Sequence, residues 1–201
     1  MEHIAHLSKD KKLAKIIALQ KPVRLQKKKH VHLALVGSIT SQQLSTKVAA
    51  IIQQRFHNLF DSDVPTCEEI LAVPFDTLRG IGLSNAKTNY VQHVCRFFIE
   101  EKLTDAVLHG MEDEALIGYL TRIKGVGRWT SEMILMFTLA RKDVMALDDL
   151  GIQQAMARLY KLDMSDKKAF RQEMIRLSDK WRPYRTYACR YLWGWKDGEG
   201  K

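Results

Sequence analysis

The chain has 201 residues, of which 46% are hydrophobic and 27% charged, with 11 Gly and 4 Pro. These proportions are those of globular proteins and exclude extended disorder, collagen-like repeats and linker-rich architectures. The 32 Lys and Arg exceed the 23 Asp and Glu, and the resulting net charge of +9 favours a polyanionic partner over a charge that serves only solubility. No apolar run reaches the ~18 residues of a membrane span, so we expect a soluble, cytoplasmic protein without membrane contact.

Common cofactor and nucleophile motifs are absent from the sequence. There is no GxGxxG after a strand, no GxxxxGK[ST], no GxSxG and no HExxH. Cys67, Cys95 and Cys189 are too widely spaced for a CxxC metal clip, so each is predicted to be a buried thiol. Nucleotide-dependent enzymes and serine hydrolases therefore lose their usual sequence support.

Apolar residues recur at helical spacing along the whole chain, which predicts an all-α fold. Ser84 and Thr130 are predicted helix N-caps, and Thr66 with Glu69 is a predicted capping box. The predicted helices span residues 9–20, 30–39, 42–58, 67–72, 75–79, 84–100, 112–121, 130–140, 149–160, 167–180 and 184–195.

Between two of these helices, residues 120–130 contain Gly125-Val126-Gly127. Glycines flanking one apolar residue predict a tight hairpin, because glycine adopts positive φ and allows close approach of a ligand to the backbone. The hairpin amides and the N-terminus of the following helix suit a phosphate. Glycines that serve only to turn the chain are the alternative.

Two adjacent acids, Asp148 and Asp149, stand where the next connection ends and a helix begins. Either carboxylate could be the N-cap of that helix.

These features together resemble the helix-hairpin-helix DNA glycosylases, the HhH-GPD superfamily, and within it the alkylation-repair branch, DNA-3-methyladenine glycosylase II. Residues 38–45 and 181–188, with Tyr191, Leu192 and Trp193, match the same branch, and the similarity covers about residues 30–195. It implies a monomeric, two-lobed helical protein with the active-site cleft between the lobes. We expect residues 36–144 to form a central bundle, and residues 1–35 with 145–201 to form the second lobe.

The resemblance also assigns the chemistry. Enzymes of this family flip a nucleotide out of double-stranded DNA and break its N-glycosidic bond. Asp149 aligns with the catalytic aspartate, which stabilises positive charge on the sugar, and Asp148 lies where this branch often has a second acid. Trp129 stands where bifunctional members carry a Schiff-base lysine. The expected reaction is therefore hydrolysis without strand cleavage.

Trp129, Trp193, Met133 and Asp148 are the implied lining of the base pocket. An aromatic face attracts a cationic base, which favours alkylated purines such as 3-methyladenine and 7-methylguanine. The alternative is that both tryptophans belong to the core and that Met133 fills it.

DNA contacts are implied for the hairpin and for a loop that wedges into the duplex. We favour Gln43 as the wedge, with Leu44 as the alternative. The implied DNA-binding residues are Gln42, Gln43, Leu44, Gly125, Val126, Gly127, Arg128 and Thr130.

No cofactor is expected to be required. Backbone oxygens of Thr121, Ile123 and Val126 are the implied ligands of a monovalent cation, Na⁺ or K⁺. No iron–sulfur cluster is expected, because the four clustered cysteines of cluster-bearing members are missing and only Cys189 lies near the C-terminus.

Two other functions stay open at this point. A non-catalytic protein could use the hairpin only to bind DNA, although it would need neither Asp149 nor two tryptophans. A glycosylase for other damaged or mismatched bases is disfavoured by Trp129 and by the missing cysteines.

Overall fold

The computed structural model describes residues 1–198, and every regular element in that part of the chain is an α-helix. The prediction of an all-α fold is confirmed. The helices are α1 (Glu2–Leu7), α2 (Lys11–Ala18), α3 (Val31–Ser41), α4 (Thr46–His57), α5 (Cys67–Ala72), α6 (Phe75–Gly80), α7 (Asn85–Glu100), α8 (Asp105–Gly110), α9 (Asp113–Leu120), α10 (Arg128–Phe137), α11 (Leu150–Tyr160), α12 (Lys167–Asp179) and α13 (Arg185–Asp197).

Side-chain caps fix several helix ends where the sequence predicts them. Thr66 and Glu69 form a capping box at α5, with the Glu69 amide 3.2 Å from the Thr66 hydroxyl and the Thr66 amide 2.7 Å from the Glu69 carboxylate. Ser84 caps α7. Helices α1 and α8 were not predicted, because these short segments show too little apolar periodicity.

The prediction of Thr130 as an N-cap is wrong, because α10 begins at Arg128 and Thr130 lies buried inside its first turn. The Gly127 carbonyl accepts hydrogen bonds from the Ser131 amide and hydroxyl, at 3.0 and 3.1 Å, and this closes the first turn. The helix ends at Phe137 rather than near residue 140, and Ala140 has a left-handed φ of 56° that no helix can contain.

The chain forms two compact units, which we call the central unit (residues 28–134) and the terminal unit (residues 1–27 with the described residues from 135 onward). We expected the boundaries at 35/36 and 144/145, eight to ten residues later. Helix α3 belongs to the central unit as a whole because it packs against α4 and α7. The second boundary lies within α10.

Helix α7 is the centre of the central unit and packs against α3, α5 and α6. Its buried side chains include Val91, Val94 and Cys95. In the terminal unit, α13 packs against α2 and α11. Tyr191 and Leu192 on α13 are fully buried, so this helix forms the core of its unit.

All three cysteines are buried free thiols, as predicted: Cys67 is 8% exposed, and Cys95 and Cys189 are 0% exposed. Within residues 1–198, no helix is long and apolar enough to cross a bilayer.

Candidate functional site

Asp149 is the N-cap of α11, which explains the position of its carboxylate. Its Oδ1 accepts a hydrogen bond from the Ile152 amide at 2.8 Å and a second one from the Trp193 indole nitrogen at 2.8 Å. The first donor belongs to the helix start and the second comes from α13. Two donors on one oxygen fix the orientation of the carboxylate. The hydrogen bond from the Trp193 indole was not predicted from the sequence.

Gly151 makes room for this contact. A methyl group at Gly151 would lie 3.0 Å from Asp149 Oδ1 and 3.1 Å from the nearest carbon of the Trp193 ring. Such distances are shorter than ordinary contacts, so a side chain here would push the indole away from the carboxylate. The sequence carried no signal for this glycine apart from its place directly after the helix start.

Asp148 and Asp149 are the last two residues of a connection, residues 141–149, that we call the acid loop. The Asp143 carboxylate accepts hydrogen bonds from Arg185 Nε at 2.8 Å and Arg182 Nη1 at 2.9 Å. The Thr186 hydroxyl accepts from the Val144 amide at 3.0 Å and donates to the Arg141 carbonyl at 2.6 Å. The segment 181–188 therefore holds the acid loop in place.

Asp148 has a different environment from its neighbour. Its side chain is 51% exposed and forms an ion pair with Arg171 on α12. Of the two acids that could cap α11, Asp149 holds that position, so Asp148 is not the cap.

Trp193 is half-buried and contacts a second aromatic ring, that of Phe137, at 5.6 Å between ring centroids. The Arg190 guanidinium lies 5.0 Å from the centre of the Phe137 ring. These three residues form part of the wall of a cavity of about 690 Å³ within the terminal unit. Phe137 was missed because it continues the apolar pattern of α10 and looks like a core residue.

Two further predicted pocket residues, Trp129 and Met133, lie in the first turns of α10. Trp129 is 41% exposed, so its ring does not belong to the core of the central unit. Met133, one turn later, is half-buried. The exposed indole of Trp129 stands directly after the hairpin, where it remains a predicted base contact.

In the hairpin, only one of the two glycines has an unusual backbone conformation. Gly125 has a φ of 97°, and a methyl group on it would lie 2.3 Å from the Tyr90 ring. Gly127 has no positive φ, and a methyl group there would meet nothing within 4 Å, so positive φ accounts for only the first of the two hairpin glycines. The Val126 amide donates to the Ile123 carbonyl at 3.0 Å and closes the turn, with both side chains buried.

Two predicted DNA contacts near the hairpin are already engaged with protein. Arg128 pairs with Glu114 at 2.6 Å and with the buried carboxylate of Glu132 at 3.1 Å. The hydrogen bond to Glu114 holds the pKa of the Arg128 guanidinium above its usual value. Thr130 is only 3% exposed, so a contact from this residue would involve its backbone.

The predicted wedge residues lie in the loop between α3 and α4, residues 42–45, hereafter the wedge loop. Gln43 is exposed and has a left-handed φ of 57°, and Leu44 is 37% exposed. The Gln42 side-chain amide donates to the Gly125 carbonyl at 3.3 Å, which joins the wedge loop to the hairpin.

Lys87 on α7 supports the same loop. Its ammonium donates to the Thr40 carbonyl at 3.0 Å and to the Gln42 carbonyl at 2.6 Å, and desolvation lowers its pKa. Lys87 and Tyr90 lie one turn apart on one face of α7, where they contact the wedge loop and the hairpin. Sequence reasoning missed both, although their spacing of three on a predicted helix was visible.

Comparison with known proteins identifies the family. Residues 36–182 match the HhH-GPD superfamily base excision DNA repair protein family. The chain is 34% identical over 194 residues to DNA-3-methyladenine glycosylase 1 of Schizosaccharomyces pombe, covering 95% of this chain and 84% of that protein.

Solved structures agree with this match. The DNA-3-methyladenine glycosidase of Bacillus halodurans superposes with a TM-score of 0.85 at 33% identity, covering 99% of this chain and 91% of that one. The Schizosaccharomyces pombe 3-methyladenine DNA glycosylase in complex with abasic DNA has a TM-score of 0.85 at 32% identity, covering 100% and 99%. This chain therefore belongs to the HhH-GPD superfamily of base excision DNA repair proteins.

Proposed function

We propose that the protein is a monofunctional DNA glycosylase that removes alkylated purines from double-stranded DNA and leaves an abasic site. The observation that carries this proposal is the Asp149 carboxylate, fixed by the Ile152 amide and the Trp193 indole. The names of the relatives, which are 3-methyladenine glycosylases, give the substrate class.

Asp149 acts on the charge that develops during bond cleavage. As the N-glycosidic bond lengthens, the sugar gains oxocarbenium-like positive charge, and a carboxylate beside it stabilises the transition state more than the ground state. Because two donors hold Oδ1 beforehand, the carboxylate needs no reorganisation when that charge appears. The glycosidic bond breaks and its electron pair leaves with the base, so a cationic base departs neutral. Water then bonds to the sugar carbon and releases a proton to solvent.

Trp129 determines that water, and not the protein, attacks the sugar. A lyase needs an amine at this position to form a Schiff base, and an indole cannot supply one. Lys124 and Lys142 are the nearest lysines in sequence, but neither occupies the matching position. We therefore expect hydrolysis of the N-glycosidic bond, which releases the base, with no break in the DNA strand.

DNA is held by the hairpin and the wedge loop. The amides of Gly125, Gly127 and Trp129 bind a phosphate, and Gln43 fills the gap left by the flipped nucleotide. Gln43 is exposed and has a left-handed φ, an uncommon conformation for a residue other than glycine that clusters at ligand-binding sites.

A monovalent cation at the hairpin is part of the proposal, with carbonyl oxygens of Thr121, Ile123 and Val126 as its ligands. These residues fit such an ion: the Ile123 carbonyl already accepts the Val126 amide, and a carbonyl oxygen keeps a second lone pair. A bound cation would add positive charge beside the phosphate. The protein's part is to keep the hairpin turn in the conformation that presents these carbonyl oxygens.

The proposal is tested with duplex oligonucleotides that each carry one modified base, followed by alkali to cut at abasic sites. We expect release of 7-methylguanine and 3-methyladenine, slower release of hypoxanthine or ethenoadenine, and no strand cleavage before alkali. Borohydride should trap no covalent protein–DNA adduct. Efficient trapping, or no release of any alkylated base, would refute the proposal.

A further inference from the structure

The positive charge of the chain is concentrated in one stretch. Residues 11–60 contain ten Lys and Arg and no Asp or Glu. The rest of the chain contains 22 Lys and Arg against 23 Asp and Glu, so it is close to neutral. The stretch therefore accounts for the whole net charge of +9.

Half of these cations lie between α2 and α3. They are Lys21, Arg24, Lys27, Lys28 and Lys29, and all five side chains are exposed. Residues 21–28 adopt neither helix nor turn. We call residues 21–29 the cationic segment.

The cationic segment is attached to folded elements near both ends. The Val23 amide donates to the Tyr191 hydroxyl at 3.1 Å, on the core helix of the terminal unit. Directly after the segment, the amides of His30 and Val31 donate to the Asp105 carboxylate at 2.6 and 3.0 Å, in the central unit. Because the backbone is held at residue 23 and again at residues 30 and 31, each within its own unit, these residues lose less entropy on binding than those of a free tail would.

The hairpin supplies amides for a phosphate but little unpaired positive charge from its arginines. Arg122 pairs with Glu101 at 2.6 Å, and Arg128 pairs with Glu114 at the same distance. A protein that binds DNA gains most of its sequence-independent affinity when Lys and Arg displace counterions from phosphates. Lys124 is the one other cation of the hairpin and is exposed, so most of that contribution is left to cations outside the hairpin.

We propose that the cationic segment is a second contact for the phosphate backbone of duplex DNA, separate from the hairpin. The inference rests on the proposed function only for the identity of the polyanion. Four of its five cations are lysines, whose flexible point charges suit phosphates without reading bases. The segment therefore contributes affinity for any duplex, damaged or undamaged.

The test compares two triple variants with the same loss of charge. One is Lys27→Gln, Lys28→Gln, Lys29→Gln, and the control is Lys167→Gln, Lys168→Gln, Lys180→Gln, three exposed lysines on or directly after α12. Affinity of the full chain for a short undamaged duplex is measured by fluorescence anisotropy between about 50 and 200 mM salt.

We expect the segment variant to reduce the slope of log affinity against log salt by about 2 to 3, and to weaken binding at least tenfold at low salt. The control should stay within about twofold of the unchanged protein. Equal losses in both variants would show a general effect of net charge and overturn the proposal, as would no loss in either. Binding to phosphatidylserine vesicles is measured with the same variants. If the segment variant loses vesicle binding but keeps its DNA affinity, the partner is a membrane and the proposal is overturned.

This measurement needs no base release, so the two proposals can fail separately. If the unchanged protein removes no base but the segment variant still loses salt dependence, the proposed enzymatic function falls and the DNA contact stands. Thermal unfolding of both variants checks that the substitutions leave the fold intact.

Discussion

The hairpin and the acid loop differ in which atoms hold them. In the hairpin, the turn is closed by a hydrogen bond from the Val126 amide to the Ile123 carbonyl, three residues earlier. The positive φ of Gly125 lets the chain reverse there. The acid loop instead depends on Thr186 and Arg185, 42 or more residues away, and Asp149 on Trp193, 44 residues away. A phosphate site made of backbone can be encoded locally, whereas a fixed carboxylate needs side chains from another helix.

Asp149→Asn should have the largest effect, because it removes the charge of the site without changing its geometry. We expect base release to fall by about three orders of magnitude or more. An asparagine oxygen can still accept from Ile152 and Trp193, so thermal stability and DNA affinity should be retained. Single-turnover release from a 7-methylguanine duplex, with anisotropy for binding, checks both parts.

Asp148→Asn is the matched control for this variant. It removes only the ion pair of two exposed side chains, Asp148 and Arg171, and exposed pairs contribute little. Near-normal release by the Asp149 variant, or equal losses in both, would refute the assignment of Asp149.

Trp193→Phe tests whether the acid loop needs its distant donor. The variant keeps an aromatic ring but removes the indole N–H, and a hydrogen bond to a charged group contributes about 1.5 to 3 kcal/mol. We expect release to fall about ten- to a hundredfold on cationic and neutral lesions alike. Trp193→Ala should lose further activity on cationic lesions only, because it also removes the ring face.

An unchanged rate of base release for Trp193→Phe would mean that the Ile152 amide alone fixes Asp149. Asp149 would then be held by local contacts, as the hairpin is.

Gly125→Ala and Gly127→Ala separate folding from binding within the hairpin. The first forces a side chain into positive φ and against Tyr90, so we expect a loss of about 1 to 3 kcal/mol in unfolding free energy. The second has room for a methyl group and should leave stability unchanged. Both should weaken binding to damaged and undamaged duplex by about tenfold, because a phosphate must approach the backbone closely.

Thermal unfolding and anisotropy report the two effects separately. Full DNA affinity in Gly127→Ala would show that no phosphate approaches that glycine.

Lys87→Met should have the smallest effect, because Gln42 still links the wedge loop to the hairpin. Loss of two hydrogen bonds to carbonyls loosens the loop that carries Gln43. We expect base flipping, followed by 2-aminopurine fluorescence beside the lesion, to weaken about three- to tenfold. Lys87→Arg, which keeps the positive charge and its donors, should recover most of this loss, and equal losses in both variants would contradict the role.

Much of the fold could be predicted from the sequence, because apolar spacing and caps such as Thr66 and Ser84 are local signals. The hairpin and the adjacent acids were found for the same reason. The start of α10, two residues before the predicted one, and the choice between Asp148 and Asp149 as the cap were not, since shifts of one or two residues decide them. Gly151, Phe137 and Thr186 act through contacts that form only after folding, so no spacing in the sequence reveals them. Lys87 and Tyr90 share one face of a predicted helix, but their spacing does not show that this face contacts the wedge loop and the hairpin.

The burial of all three thiols has a consequence for a protein proposed to act on alkylated DNA. Agents that methylate purines are electrophiles, and thiolate sulfur is the most nucleophilic group that a protein side chain offers them. With Cys95 and Cys189 fully buried and Cys67 nearly so, the folded chain shields its own sulfur from the reagents that create its substrates. Alkylation of these sulfur atoms therefore requires the core to open, so the folded protein should react slowly at its thiols during chemical stress.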